Sequence, residues 1–162
     1  MTSSHHPVAA ARLADLTTLR VGGPARRYVE ASSEDELISV VSAADAAREP
    51  VLVLGGGSNL VVSDGGFDGV VVRVATRGLG IDVAADAAPP STDPACGGVL
   101  VTLAAGETWD DVVVRAVTEQ WVGIEALSGI PGAVGATPMQ NVGAYGQEVA
   151  ETVWAVRTWD RH

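Results

Sequence analysis

VLVLGGGSNLVV, residues 51–62, is the stretch whose reading decides the fold. Four apolar residues in a row read as a short strand buried on both faces. They feed three glycines, then Ser58 and Asn59. A strand running into glycines is a phosphate-loop pattern, and its common forms can be tested residue by residue. The Walker loop places a lysine after its last glycine, and this chain contains no lysine at all. The dinucleotide-binding βαβ unit needs G-x-G-x-x-G opening a helix. Here Gly55-x-Gly57 is followed by Asn59-Leu60, and LVVS after it reads as strand, so a pyrophosphate would find no helix N-terminus. Two readings stay open: a nest of backbone N–H groups, with Ser58 and Asn59 adding side-chain donors, or a tight β-turn.

Working outward, Gly22-Gly23-Pro24 forces a turn and Tyr28 to Ala31 can begin a strand. Ser33 with Glu36 forms a capping box. Leu37, Val40, Val41 and Ala44 then recur at helical spacing, and Pro50 ends that helix. With VVVRV (70–74), the first unit reads β-α-β-β around a small mixed sheet. A second unit starts near Arg77. It holds a weak strand at Ile81 to Val83, a flexible hairpin loop over 84–98, and a strand over 99–106. Thr108 with Asp111 then caps a helix that runs to about Gln120, with Val112, Val113, Ala116 and Val117 inward. Gln120-Trp121 stands where a glycine is the usual stop. The alternation in TVWAVRTWD (152–160) predicts a last strand without a partner hairpin. The expected organisation is a flexible tail over 1–16, one subdomain over 17–76, and a second, incomplete one over 77–162. An unpaired last edge predicts self-association, or poor order over 147–162.

Composition narrows the function classes. The chain has 162 residues, is 47% hydrophobic but only 4% aromatic, and carries a net charge of -10. That acidity argues against nucleic-acid binding. All ten basic residues are arginines, which excludes Schiff-base and lysine general-base chemistry. Cys96 is the one cysteine, so no internal disulfide forms. It reads as an incidental loop thiol, without the electropositive setting a reactive thiolate needs. His5, His6 and His162 lie at the ends, so no metal-ligand cluster is present. No apolar run approaches a membrane span, and MTSSHHPVAAARLADL lacks the core of a signal peptide. A cytoplasmic protein is expected.

The second informative block is LSGIPGAVGATPMQNVGAYGQEV, residues 127–149, with five glycines and two prolines interleaved with Ile130, Val134, Met139, Val142 and Tyr145. It reads either as backbone wrapped against a large, flat, partly apolar ligand, with Thr137, Gln140 and Asn141 offering fixed hydrogen bonds, or as a glycine-rich core loop.

TTLRVGGPA, LGGGSNLV and LSGIPGAVGATPMQNVGAYGQEV, in that order and at those intervals, resemble the UDP-N-acetylenolpyruvoylglucosamine reductase (MurB) family from about Thr17 to Asp160. The resemblance implies an α+β fold: the FAD-binding two-subdomain fold of the vanillyl-alcohol-oxidase (PCMH) type, here truncated, with the substrate-binding domain absent. FAD would lie between the subdomains, its pyrophosphate at Gly55, Gly56, Gly57, Ser58 and Asn59. Its isoalloxazine and ribityl chain would follow Ser128, Gly129, Ile130, Pro131, Gly132, Gly135, Ala136, Thr137, Gln140, Asn141, Gly143, Ala144 and Tyr145. NADPH would be the reductant, a UDP-sugar the substrate, and peptidoglycan synthesis the setting, as in UDP-N-acetylmuramate dehydrogenase. The family's Tyr-Arg motif, its proton-donating serine and the assisting glutamate have no positions here, so no catalytic residue is carried over. Arg157 and Arg161 read as a solvated strand face and a frayed end. No His or Cys falls in a flavin-facing motif, which implies non-covalent FAD. The alternatives are a non-catalytic flavin-binding module or split-gene half, and a different flavoprotein oxidase of the same fold.

Overall fold

The computed structural model describes residues 11–82 and 99–161. The expectations for Cys96, His5, His6, His162, the 84–98 loop and the first ten residues of the tail lie outside the described residues. The chain divides into two compact units, Met1–Thr76 with Trp159–His162, and Arg77–Thr158.

In the first unit, strand β1 (Ala25–Ala31) is followed by helix α1 (Glu34–Ala46) and strands β2 (Val51–Leu54) and β3 (Phe67–Val74). Both β1 and β2 pair with β3 in parallel, giving the order β1-β3-β2. This corrects the mixed sheet expected from the sequence: LVVS joins no sheet and forms part of the β2–β3 connection, its Ser63 carbonyl accepting the Gly23 N–H (2.8 Å), so the chain returns to the same end before β3 begins. It also moves the doubly buried strand. β2 is an edge strand with Val53 51% exposed. β3 is central, with Val70 and Val72 packed under Val40, Val41 and Ala44 of α1, and Val71 on the opposite face. Alternate residues of a strand face opposite ways, so VVV in the middle of a three-stranded sheet fills two cores at once.

Among the described residues no α-helix covers that opposite face; a one-turn 3-10 helix, Leu13–Asp15, lies there instead. Leu13, fully buried, and Leu16 pack there with Tyr28, Leu54, Leu60 and Val62. Leu13 N–H donates to the Gly23 carbonyl (2.9 Å) and Ala14 N–H to Gly22 (3.1 Å). Residues 11–16 are therefore part of the unit, not a tail, because their leucines supply apolar cover the sheet otherwise lacks.

Helix α1 begins as expected. Ser33 Oγ accepts the Glu36 N–H (3.2 Å), while the Glu36 carboxylate reaches back to Ser32 N–H (2.9 Å) and Oγ. It ends before Pro50, at Ala46, where Arg48 takes φ +54. Arg48 N–H bonds the Asp45 carbonyl and Glu49 N–H bonds that of Ala44. That is the two-bond closure usually made around glycine.

The second unit contains an antiparallel pair, β4 (Leu79–Asp82) and β5 (Leu100–Leu103), helix α2 (Trp109–Thr118), a one-turn helix α3 (Thr137–Gln140), and a small hairpin of β6 (Gly143–Ala144) and β7 (Gln147–Glu148). Its core joins Trp109, Val113, Leu127 and Val149 with Ile124, Ile130, Val134, Val142 and Ala144. Two expectations about α2 fail. Thr108 makes no side-chain cap; it stands in an isolated bridge with Ala133. Val117 is 56% exposed, and the core face of the helix is made by Trp109, Val112, Val113 and Ala116. Gln120 does close the helix in place of glycine, at φ +62.

Residues 152–160 form no strand. The chain runs irregularly and exposed from Val153 onward, and no described strand pairs with it. Residues 147–151, in contrast, are built into β7 and a 3-10 turn that buries Val149. Arg161 is no frayed end: its Nε and Nη2 grip the Asp45 carboxylate of α1, Nε at 3.0 Å.

Candidate functional site

In the first unit the GGGSN loop leaves the carboxyl end of β2, level with the carboxyl ends of β1 and β3, as Leu54 pairs with Arg73 and Ala31 with Val74. In parallel sheets that end is where ligands bind. No helix follows the glycines. Gly56 and Asn59 are exposed, Gly55 and Ser58 half-buried, and Gly57 buried.

Gly57 is a glycine for an internal reason. Its φ is +70, and a Cβ on it would lie 1.9 Å from the Leu16 carbonyl oxygen. The same contact lets Thr18 N–H donate to the Gly57 carbonyl (3.0 Å). The strand-following loop and the TTLR segment thus lock together. Thr17 is buried with its hydroxyl donating to the Val21 carbonyl (3.1 Å).

In the second unit the glycine-rich block is templated by the first turn of α2. Trp109 is buried, and its indole Nε1–H donates to the Leu127 carbonyl (3.1 Å). Trp109 N–H donates to the Gly132 carbonyl (3.0 Å). One oxygen of Asp110, Oδ1, accepts both Gly129 N–H (2.6 Å) and Ser128 Oγ–H (3.1 Å). Val134 N–H and Gly135 N–H continue the zipper onto Glu107 and Ala105 carbonyls. Gly135 lies so close that a Cβ there would sit 2.7 Å from the Ala105 methyl. Sequence reading missed Trp109 and Asp110 as organisers. The available signal was their place in the first turn of an amphipathic helix, where an acid favours the dipole and can accept loop N–H groups.

The expected site residues divide by what they already hold. Thr137 is buried and its hydroxyl donates to the Val134 carbonyl (2.8 Å). Asn141, in the left-handed region, donates Nδ2 to Glu148 (2.8 Å) and accepts from Ala150 N–H (3.2 Å). Their polar groups shape the loop. Ile130 and Ala144 pack into the core, and Ala136 N–H donates to the Ala133 carbonyl. Ser128, Gly129, Pro131, Gln140, Gly143 and Tyr145 are exposed. A hollow of about 240 Å3 lined by Pro138, Asn141, Val149, Ala150 and Val153 shares only Asn141 with this set.

Electrostatics at the block centre on Glu125. Its own backbone N–H and that of Gly123 (2.6 Å) hold its carboxyl below the ordinary carboxylate range. In the first unit, burial pushes the Tyr28 phenol above its ordinary value. Among the described residues no group of His, Cys, Asp and Glu could hold a metal ion, and no helix is long and apolar enough to cross a membrane.

A parallel sheet with an exposed glycine loop at its carboxyl end, joined in one chain to a small α/β unit carrying a helix-templated glycine block, defines a class. The chain belongs to the FAD binding domain family, whose model matches residues 25–161. It is 59% identical over 149 residues to the UDP-N-acetylenolpyruvoylglucosamine reductase of Cutibacterium acnes, covering 92% of this chain and 37% of that protein. It is 51% identical over 160 residues to the reductase of the same name from Salinispora arenicola, covering 99% and 41%. The crystal structure of UDP-N-acetylenolpyruvylglucosamine reductase (MurB) from Thermus caldophilus superposes with a TM-score of 0.60 at 29% identity, over 86% of this chain and 44% of that one. The fold is thus the PCMH-type FAD-binding fold. The chain spans about two fifths of the length of these relatives. The residues present fit the cofactor: exposed Gly56 and Asn59 leave the loop open to a pyrophosphate, and the exposed edge of the 128–145 block offers backbone to a flat ring.

Proposed function

We propose that the chain is the FAD-holding portion of a UDP-N-acetylmuramate dehydrogenase, the NADPH-dependent reductase of UDP-N-acetylenolpyruvoylglucosamine in cytoplasmic peptidoglycan synthesis. The observation that carries this is the match of 92–99% of the chain, at 51–59% identity, to reductases of that name. FAD, when bound, supplies the hydride-transfer chemistry; the protein supplies binding and orientation. Gly55, Gly56, Gly57, Ser58 and Asn59 would receive the pyrophosphate at the carboxyl end of the parallel sheet. Ser128 to Tyr145 would line the isoalloxazine and ribityl chain. Within that block Thr137 and Asn141 act by fixing backbone, since their own polar atoms are engaged, and Gln140 is the exposed side-chain donor. The cofactor is held non-covalently.

No residue of this chain is assigned to substrate protonation. The purified chain, mixed with FAD and freed of excess, is expected to keep a flavin spectrum that NADPH alone bleaches slowly or not at all. A chain that never retains flavin absorbance would sink the proposal. Association between copies would run through exposed Val153, Trp154, Val156 and Trp159. A single monomeric species in sedimentation across a hundredfold concentration range would rule it out.

A further inference from the structure

Glu107 stands in the turn between β5 and α2, outside the 128–145 block, and ties separate segments of the second unit together. Its Oε1 accepts the Gly78 N–H (2.7 Å), and its Oε2 meets Arg77 Nη1 (3.3 Å), where the chain enters the unit. Its backbone N–H donates to the Ala104 carbonyl (3.1 Å), closing the turn over 104–107. Its backbone carbonyl accepts the Val134 N–H (2.9 Å), beside the Gly135 N–H that donates to Ala105 (2.8 Å). The glycine block is thus hung on this turn. The turn itself adds no residue to the buried core of the unit. Gly78 is what it is fastened to. The Gly78 carbonyl accepts the Ala104 N–H (2.8 Å) at the start of the turn, and the Glu107 carboxylate takes the Gly78 N–H at its end. A hydrogen bond to a carboxylate is about twice as strong as a neutral one.

We infer that Glu107 is a positioning residue for FAD binding: by gripping Gly78, its carboxylate fixes the turn that carries the Val134–Gly135 backbone. The inference rests on the FAD-binding reading above and adds to it a residue that acts through the block rather than within it. Reach matters here, and charge does not. The Glu107 side chain is 24% exposed and its bond to Gly78 is short, whereas its ion pair is long and made to an arginine 58% exposed. Exposed pairs of that kind contribute little.

The test is an FAD titration in the cold, where the chain is wholly folded. There a residue that only stabilised the fold would leave affinity untouched, because ligand and fold are linked only through the unfolded fraction. Glu107→Asp keeps the charge but draws the carboxylate back by one methylene from Gly78. It is expected to weaken FAD binding about tenfold. Glu107→Gln loses the charge but keeps the reach and an accepting oxygen, so its affinity should stay within about threefold of wild type. Wild-type affinity in Glu107→Asp, with or without a lower Tm, would overturn the inference while leaving FAD binding intact. The reverse order, with Glu107→Gln the weaker binder, would overturn it as well, since charge and not reach would then be at work. Absence of FAD binding by the wild-type chain would overturn the FAD-binding reading itself, and the inference with it.

Discussion

Replacing Gly57 by alanine separates two reasons for a glycine in a phosphate-type loop. If the residue were needed for ligand approach, alanine would weaken FAD binding and leave the empty protein unchanged. The structure assigns the opposite weight. At φ +70 an alanine incurs about 1–2 kcal/mol of backbone strain. Its methyl would also meet the Leu16 carbonyl oxygen at 1.9 Å, far inside contact, and relief requires moving the segment that carries buried Leu13 and Thr17. The Thr18 N–H to Gly57 carbonyl bond, worth about 1 kcal/mol net, is lost as that segment lifts. Together the loss is about 3–4 kcal/mol, a fall in Tm of roughly 10 °C for a chain of this size. Differential scanning calorimetry of the FAD-free protein measures it. Gly56→Ala is the control: Gly56 is exposed and does not have positive φ, so its Tm should stay within about 2 °C. A Gly57→Ala protein as stable as wild type, with FAD affinity reduced, would refute the packing argument and restore the ligand role.

Three further outcomes follow from the same geometry. Asp110→Ala should lose about 1–3 kcal/mol of stability and weaken FAD binding several-fold by freeing Ser128 and Gly129, whereas Asp110→Asn, which keeps an accepting oxygen, should recover most of the affinity in the same titration. Arg48→Gly should stabilise the protein by roughly 1 kcal/mol, because glycine removes the left-handed cost at the end of α1; unchanged midpoints in urea would count against it. Glu125 has a folded pKa below its ordinary 4.5, so its contribution is complete above that pH and is lost as pH falls through the lower folded value. Glu125→Gln should therefore flatten the acid limb of Tm against pH below about pH 4.5, and identical limbs in the two proteins would contradict the assignment.

The sequence made the first helix readable in detail, since a cap and an i, i+3, i+4, i+7 stripe are local signals. The positions of β2 and β3 in the sheet were not readable, because VLVL and VVV are both continuous apolar runs. Which of them is central depends on pairing between segments distant in the chain. LVVS looked like strand for its β-branched residues, yet Leu60 and Val62 serve as packing residues of a connection. Residues 152–160 show the limit most plainly. Alternation of apolar residues states what a strand would bury, but a strand exists only where another strand takes up its hydrogen bonds, and no described strand pairs with this stretch.

The glycine blocks were legible as candidates for a site, while the reason for each glycine was not, on one physical ground. Glycine is used wherever a Cβ would intrude, and sequence does not say what it would intrude upon. In this chain the intruded-upon atoms at Gly57 and Gly135 belong to the protein: the Leu16 carbonyl and the Ala105 methyl. The same holds for polar residues, since Thr137 and Asn141 spend their hydrogen bonds on their own loop. Of the residues proposed above to meet the cofactor, Gly56 and Asn59 in the first unit and Gln140 and Tyr145 in the second are exposed. A loop whose packing residues are satisfied internally keeps its shape without the cofactor, so less ordering has to be repaid when the cofactor arrives. On this argument the buried members of each block govern how stable the empty protein is. The exposed members govern how tightly it binds, and substitutions in the two groups should move different observables.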